Sequence, residues 1–370
     1  MSSTVNTLTT SQIKALSTQS VSAWTTEDVA SLTTEQVKVL SGTQVAALDT
    51  EDVAVLSTSQ LRAISVSAIG SLTIDQMMVL SSLAVSSLTT PQVAKLTTTQ
   101  VGTLSSTQAE ALTASQVGTL GSAQVAALDP EDIATFTTAE IAALSSSAIK
   151  GLSTAAIAAL STAQVAAISA SAVSSLTSTQ IAALSTGQVA ALSASQVAAL
   201  KSAQVLALGT DDIAVLSTVQ VAALTAQAVP GLTTAALGVL SAGQIGALKS
   251  EAVSALTTLQ VHALGTSQIA ALSTSQVSAL KATHVKAIGG NLTALSTAQM
   301  AALSTTAVAS LTTAQLDAFG TGQIAALTTA QLASLTSVQI QAIATEDLAA
   351  LSTSQISALS SRAISGFSTA

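Results

Sequence analysis

A large apolar side chain recurs at every eighth position of this chain, from Leu8, Leu16, Trp24 and Leu32 to Ile288. After one irregular seven-residue unit at 289–295, the same spacing runs from Leu295 to Phe367. Numbered from the Leu, the unit reads L-[ST]-[ST]-x-Q-[VI]-A-A. No continuous helix fits this period, because eight residues advance about 800° and the apolar stripe would drift about 80° per unit. A strand fails as well: positions one and six have opposite parity, and Ala and Gln are poor strand formers. The helix must therefore break once in every unit.

The unit itself shows where. Ser or Thr at position two and Gln, Glu or Asp at position five form the S/T-x-x-E/Q capping box, in which each side chain satisfies a backbone N–H at a helix start. Positions one and six then become the two halves of a hydrophobic staple. Charge agrees with this polarity. Acidic residues such as Asp49, Glu51, Asp52, Glu131 and Asp132 sit at positions two, four and five, with Glu110 and Asp317 the exceptions. There the helix dipole favours negative charge. Basic residues such as Lys14, Lys38, Arg62, Lys95, Lys201 and Lys249 fall at seven, eight or two, read as the end of one helix or the step out of it, with Arg362 the exception. Pro130 and Pro91 fall at the first and second helical positions, where no intrahelical N–H is needed. Pro230, at position seven, predicts an irregular unit.

Helices of five or six residues are far below the ~12–15 at which an isolated helix becomes marginal in water. Stability must come from stacking, so the expected fold is all-α: a solenoid of very short capped helices, one per eight-residue repeat. Positions one and six, with the small residues at eight, are expected to form one continuous core. A single array spans 1–370, with octads over 8–288 and 296–367 flanking the unit at 289–295. The octad leaves two, three or four helices per turn open, and the simplest closure folds the chain back after every second unit. Segments beginning at Asp49, Asp129 and Gly209 are related by a longer period of ten octads, read as duplication of a ten-octad block.

Composition narrows the function. Aromatic residues are 1% and charged residues 8% of the 370, where roughly 25% charged is usual, so the anchors of a globular core are missing. The net charge of −8 is spread without a basic block, which removes the electrostatic drive for nucleic-acid binding. With no cysteine there is no disulfide framework or thiolate site. Ser/Thr pairs interrupt every apolar stretch before the ~18 residues a membrane-spanning helix needs. The start, Met1-Ser-Ser-Thr-Val-Asn-Thr-Leu8, has neither a positive cluster nor an apolar run, so export would use a signal-peptide-independent route.

Candidate sites are few. His262 and His284, at positions seven and five, stand in different phases of the repeat and read as solvated surface residues. The pairs Glu27-Asp28, Glu51-Asp52, Glu131-Asp132, Asp211-Asp212 and Glu346-Asp347 could hold calcium if neighbouring turns brought two together. They lack the dense oxygen spacing of a calcium loop, and helix capping explains them. The Asn291-Leu-Thr sequon reads as accidental. No Ser/His/Asp set, phosphate loop or acid–base pair emerges. The chain is expected to be no enzyme, with no catalytic, cofactor-binding or metal residues.

The units Leu32-Thr-Thr-Glu-Gln-Val, Leu184-Ser-Thr-Gly-Gln-Val and Leu327-Thr-Thr-Ala-Gln-Leu resemble the L-T-T-x-Q-[VI]-x-A octapeptide arrays of large bacterial surface and secreted adhesin-like proteins. The resemblance covers essentially the whole chain and implies an extracellular or cell-surface setting more than an activity. The expected function is an extended structural scaffold, associating with copies of itself into a fibre, sheath or matrix, or serving as an adhesin stalk. A molecular ruler of the flagellar hook-length or tape-measure type is the second expectation. Binding of ice or cell-surface polysaccharide by the Ser/Thr face is the third.

Overall fold

The computed structural model describes residues 5–365 and 367. Residues 1–4 of the stretch read for a signal peptide, and the side chain of Arg362, lie outside them. The chain divides into two compact units, 1–184 and 185–370, and each has the same local architecture.

Short helices follow one another at one per repeat, and no strand occurs among the described residues. Thr34–Lys38 is typical. The Thr33 hydroxyl accepts from the Gln36 N–H (3.2 Å), and Gln36 Oε1 accepts from the Thr33 N–H (2.8 Å), the expected capping box. Most helices end without glycine. In the unit ending at Leu88 the Leu is extended (φ −58°, ψ 141°), and its N–H donates to the Val85 carbonyl at 3.2 Å. The following Ser or Thr is extended too, as at Thr89 (φ −72°, ψ 153°). Two extended residues make a corner rather than a reversal.

Consequently each helix packs on the third one along, not the second. In unit 1, Thr34–Lys38 packs on Thr58–Ala63, and Ala114–Val117 on Thr138–Ala143. In unit 2, Thr258–His262 packs on Ala282–Ile288. Three corners close one turn of three octads, so the fold-back after every second unit is corrected to every third. The ten-octad repeat equals three such turns plus one octad. Within unit 1, the copies at Asp49 and Asp129 therefore stand on different corners, and the longer period is not a period of the superhelix.

Position six is almost fully buried, as at Ile13, Ile141 and Val197, except near the C-terminal end, where Ile356 and Ile364 are exposed; position one is nearly as buried, as at Leu112 and Leu280. Position eight does not join the core as expected: Val55 and Val79 are 42% and 40% exposed, and the alanines there are mostly half-buried. The third buried position is five, where Gln76 is 1% exposed. Rings at position one are not uniformly buried either. Phe136 and Phe319 are enclosed, Trp24 is half-buried, and Phe367 is exposed. Leu8, Leu16 and Trp24 have no coil beneath them among the described residues, whereas Phe367 has none above.

The unit containing Pro230 is irregular, as its sequence predicts, with a 3-10 helix Val229–Gly231 in place of an α-helix. Another 3-10 helix, Ala148–Gly151, occurs in unit 1 without proline. Gly151 and Gly231 share position eight, and a Cβ on either would be driven into the backbone carbonyl of Ser122 or Ser202 respectively. The close approach requires glycine. Lysine at position two also differs from expectation: Lys201, Lys249 and Lys281 are N-cap residues, at the positive rather than the negative end of a helix. Lys14, Lys38 and Arg62 do lie in last turns.

Candidate functional site, the glutamine between coils

A helix of five residues leaves most of its backbone unpaired, N–H groups at one end and carbonyls at the other. Glutamine is the one common side chain here that carries both an acceptor and donors on a single planar group. At position five both halves are used. Gln76 Oε1 accepts from the Thr73 N–H at 2.8 Å, while Nε2 donates to the carbonyls of Val45 (3.0 Å) and Leu48 (2.7 Å) in the coil below. Val45 lies in the last turn of the preceding coil's helix, and Leu48 at the corner just beyond its end. One side chain thus closes the start of its own helix and the end of another.

The clamp recurs through both units. Gln108 donates to Met77 and Leu80 (2.9 and 2.7 Å), and Gln180 to Ile149 and Leu152 (3.0 and 2.7 Å). In unit 2, Gln268 reaches Leu237 and Leu240 (2.7 and 2.8 Å), and Gln331 reaches Met300 and Leu303 (3.0 and 2.6 Å). Each such bond contributes about 1 kcal/mol net, and an unmade one in this buried slot costs more. Burial follows function: Gln12, with no coil beneath it among the described residues, is exposed, whereas Gln36 and Gln44 are buried.

Departures from glutamine show what the slot demands. In the seven-residue unit Asn291 Nδ2 donates to the Leu264 carbonyl at 3.0 Å, so the sequon asparagine is a structural donor with its amide engaged. His284 is 2% exposed, not solvated as its sequence position suggested. Its Nδ1 accepts from the Lys281 N–H at 3.4 Å, and the ring bonds the Leu256 carbonyl in the coil below. It is glutamine's substitute. His262 is exposed and sits with Nδ1 2.8 Å from the Ala287 carbonyl. The two histidines thus meet opposite ends of one helix, Ala282–Ile288.

Acids at position five supply only acceptors. Glu140 keeps the bond from the Thr137 N–H (2.7 Å) but is half-buried, in contrast to the enclosed glutamines. Asp347 is buried and accepts the Thr321 hydroxyl at 2.6 Å. Asp52 is buried with only a long bond, 3.3 Å, from the Asp49 N–H. Burial raises its carboxyl above the ordinary range, and the negative charges of Asp49, Glu51 and Asp28 add to this. Asp28, three octads earlier in the chain, lies one turn below. A raised native value means that stability is fully present below the unfolded value near 3.8 and is lost as pH rises. Asp52→Gln therefore raises stability by about 1 kcal/mol at pH 7, and the gain narrows as the pH falls toward 4. Thermal melts of both proteins across that range measure it.

Among the described residues no group of three or more His, Asp or Glu is arranged to hold a metal, and no helix is long and apolar enough to cross a membrane. Glu27-Asp28 and Glu51-Asp52, separated by one turn, are brought one above the other. Glu131-Asp132 and Asp211-Asp212 lie in the first turns of their own helices, whereas Asp347 of the last pair bonds Thr321 in another coil. The concavities are open grooves. One of about 500 Å³ is lined by Ser106, Asp129, Pro130, Glu131, Asp132 and Ala155.

The outer faces carry hydroxyls in columns that recur at every third octad, such as Thr10, Thr34 and Thr58, each the first residue of its helix. Apolar side chains interrupt them. Val55 and Val79 lie one turn apart, with Met78 and Leu83 beyond at 62% and 69% exposure.

No curated protein matches the chain. The ALTTAQ repeat matches it over residues 5–42, 45–82, 125–162, 133–170, 157–194, 173–210, 195–226, 251–282, 308–345 and 340–370, well over half of its length. The motif stands unaltered at Ala326-Leu327-Thr328-Thr329-Ala330-Gln331, with its glutamine the clamp residue of that unit. The match covers most of the chain, and the chain belongs to the ALTTAQ repeat family.

Proposed function

We propose that this protein is a non-enzymatic repeat scaffold of the cell surface or extracellular space, which associates with copies of itself through its outer faces. The observation that carries the reading is the nature of those faces. They repeat at every third octad, are rich in small hydroxyl and methyl groups, and expose apolar side chains such as Met78, Leu83, Leu206, Val219 and Leu259. Low surface charge leaves little repulsion between copies, and repetition multiplies any weak contact along the array. The glutamines that reach the interior are occupied in joining coils, which suits a load-bearing or spacing role better than turnover of a substrate.

Negative-stain electron microscopy and sedimentation of purified protein over a hundredfold concentration range test this. Filaments or large oligomers that grow with concentration support it; a monodisperse monomer at the highest concentration overturns it. The equivalence of successive units favours a ruler as the second reading. In that case removal of three octads, one complete turn, shortens a cellular structure in proportion.

A further inference from the structure

The two histidines of the chain converge on the seven-residue helix Ala282–Ile288, the longest among the described residues, which runs directly into the irregular unit. This helix ends at Gly289, whose φ of 62° is the only positive value among the described residues, and is followed by the 3-10 helix Gly289–Ala294. Its start depends on His284. As an acceptor at Nδ1 for the Lys281 N–H, the ring does a glutamine's work only as the neutral imidazole, because the imidazolium has two donors and no acceptor. Protonation would turn an N–H toward the Lys281 N–H, inside a slot where the side chain is 2% exposed.

We infer that His284 makes the coil around residues 281–295 an acid-sensitive weak point, which opens locally below neutral pH while the glutamine-clamped turns stay closed. The surroundings supply no compensating carboxylate on the packed elements. Thr258–His262 carries only His262, and Thr305–Ala309 and Gly289–Ala294 carry no ionisable side chain. The helix itself has Lys286, with Lys281 as its cap. Glu251 lies in the first turn of Ser250–Ala255, ahead of Leu256, and Asp317 at the far end of Thr313–Asp317, whose Gln315 donates to the Val285 carbonyl. Burial, and secondarily the Lys281 charge, push the imidazole below its ordinary value, while the Leu256 bond opposes them. A native value below the unfolded one near 6.5 gives stability that is fully present above that pH and is lost as the pH falls below it.

Hydrogen exchange on the full chain at pH 7.5 and 5.0, corrected for intrinsic rates, tests the inference with three proteins. In the native chain, protection of amides 282–295 falls about tenfold or more at pH 5.0 relative to that of residues 296–340. His284→Gln, which installs the side chain used in the other units, abolishes the fall, while His262→Gln leaves it. Equal falls in the native chain and His284→Gln, no fall in the native chain, or a fall removed by His262→Gln alone each overturn it.

Discussion

Gln76→Glu lowers stability by about 3 kcal/mol at pH 7, a penalty of the size expected for an uncompensated buried charge. The geometry is nearly isosteric, so what changes is the –NH2 donor, replaced by a second oxygen that shares a negative charge. The carboxylate can still accept from the Thr73 N–H, but it loses both donors and faces the carbonyls of Val45 and Leu48. Gln76→Ala costs less, because alanine already occupies the same buried position at Ala68, Ala84 and Ala156. The expected order of stability is therefore Gln, then Ala, then Glu. Acid narrows the gap for Glu, since its buried carboxyl is raised and the protonated form regains a donor. Urea unfolding followed by circular dichroism at pH 7 and pH 4.5 gives the order. If Gln76→Glu matches the native chain at pH 7, the glutamine is a local cap and nothing more.

Ile141→Ala costs about 3 kcal/mol, the middle of the range for truncating a fully enclosed aliphatic side chain. Ile141 is 0% exposed within Thr138–Ala143, which packs against Ala114–Val117 below and Thr162–Ala167 above. Because neighbouring turns supply the stability of each helix, the loss appears as early unfolding of the turns around residue 141 rather than of the whole array. Leu83→Ala, at 69% exposure, changes stability by less than about 0.5 kcal/mol. Thermal melts with residue-resolved exchange distinguish the two. Equal effects of the two substitutions would mean that position six is not the spine.

The local design was legible because its signals lie within a single octad. The capping box at Thr33 and Gln36, the staple of Leu32 and Val37, and the irregular unit at Pro230 all follow from neighbours in the chain. Most of what escaped lies about three octads away. Leu and Val recur identically whether a turn holds two, three or four helices, so their register is silent about closure, and the two extended corner residues decide it. The second bond of the glutamine was hidden by the first, since a capping box alone accounts for its place. One sequence signal does separate them. A capping box accepts glutamate as readily as glutamine, yet glutamine is the commonest residue at position five and Glu140 the lone glutamate. That bias marks a donor requirement. His284 was misread for the same reason, because surface histidine is the common case and only the coil below reveals the slot it fills.

The claim beneath all of this is that one turn contains three helices, with each glutamine joining consecutive turns. The chain has no native cysteine, so spin labels can be placed at will on the exposed residues Ser59, Asp75 and Leu83 in unit 1. Continuous-wave EPR of the 59/83 pair, three octads apart, should show strong dipolar broadening from a separation of about 10 Å, the distance between packed helices. The 59/75 pair, two octads apart, should be clearly weaker. Stronger broadening in the 59/75 pair would place two helices in a turn and contradict the account.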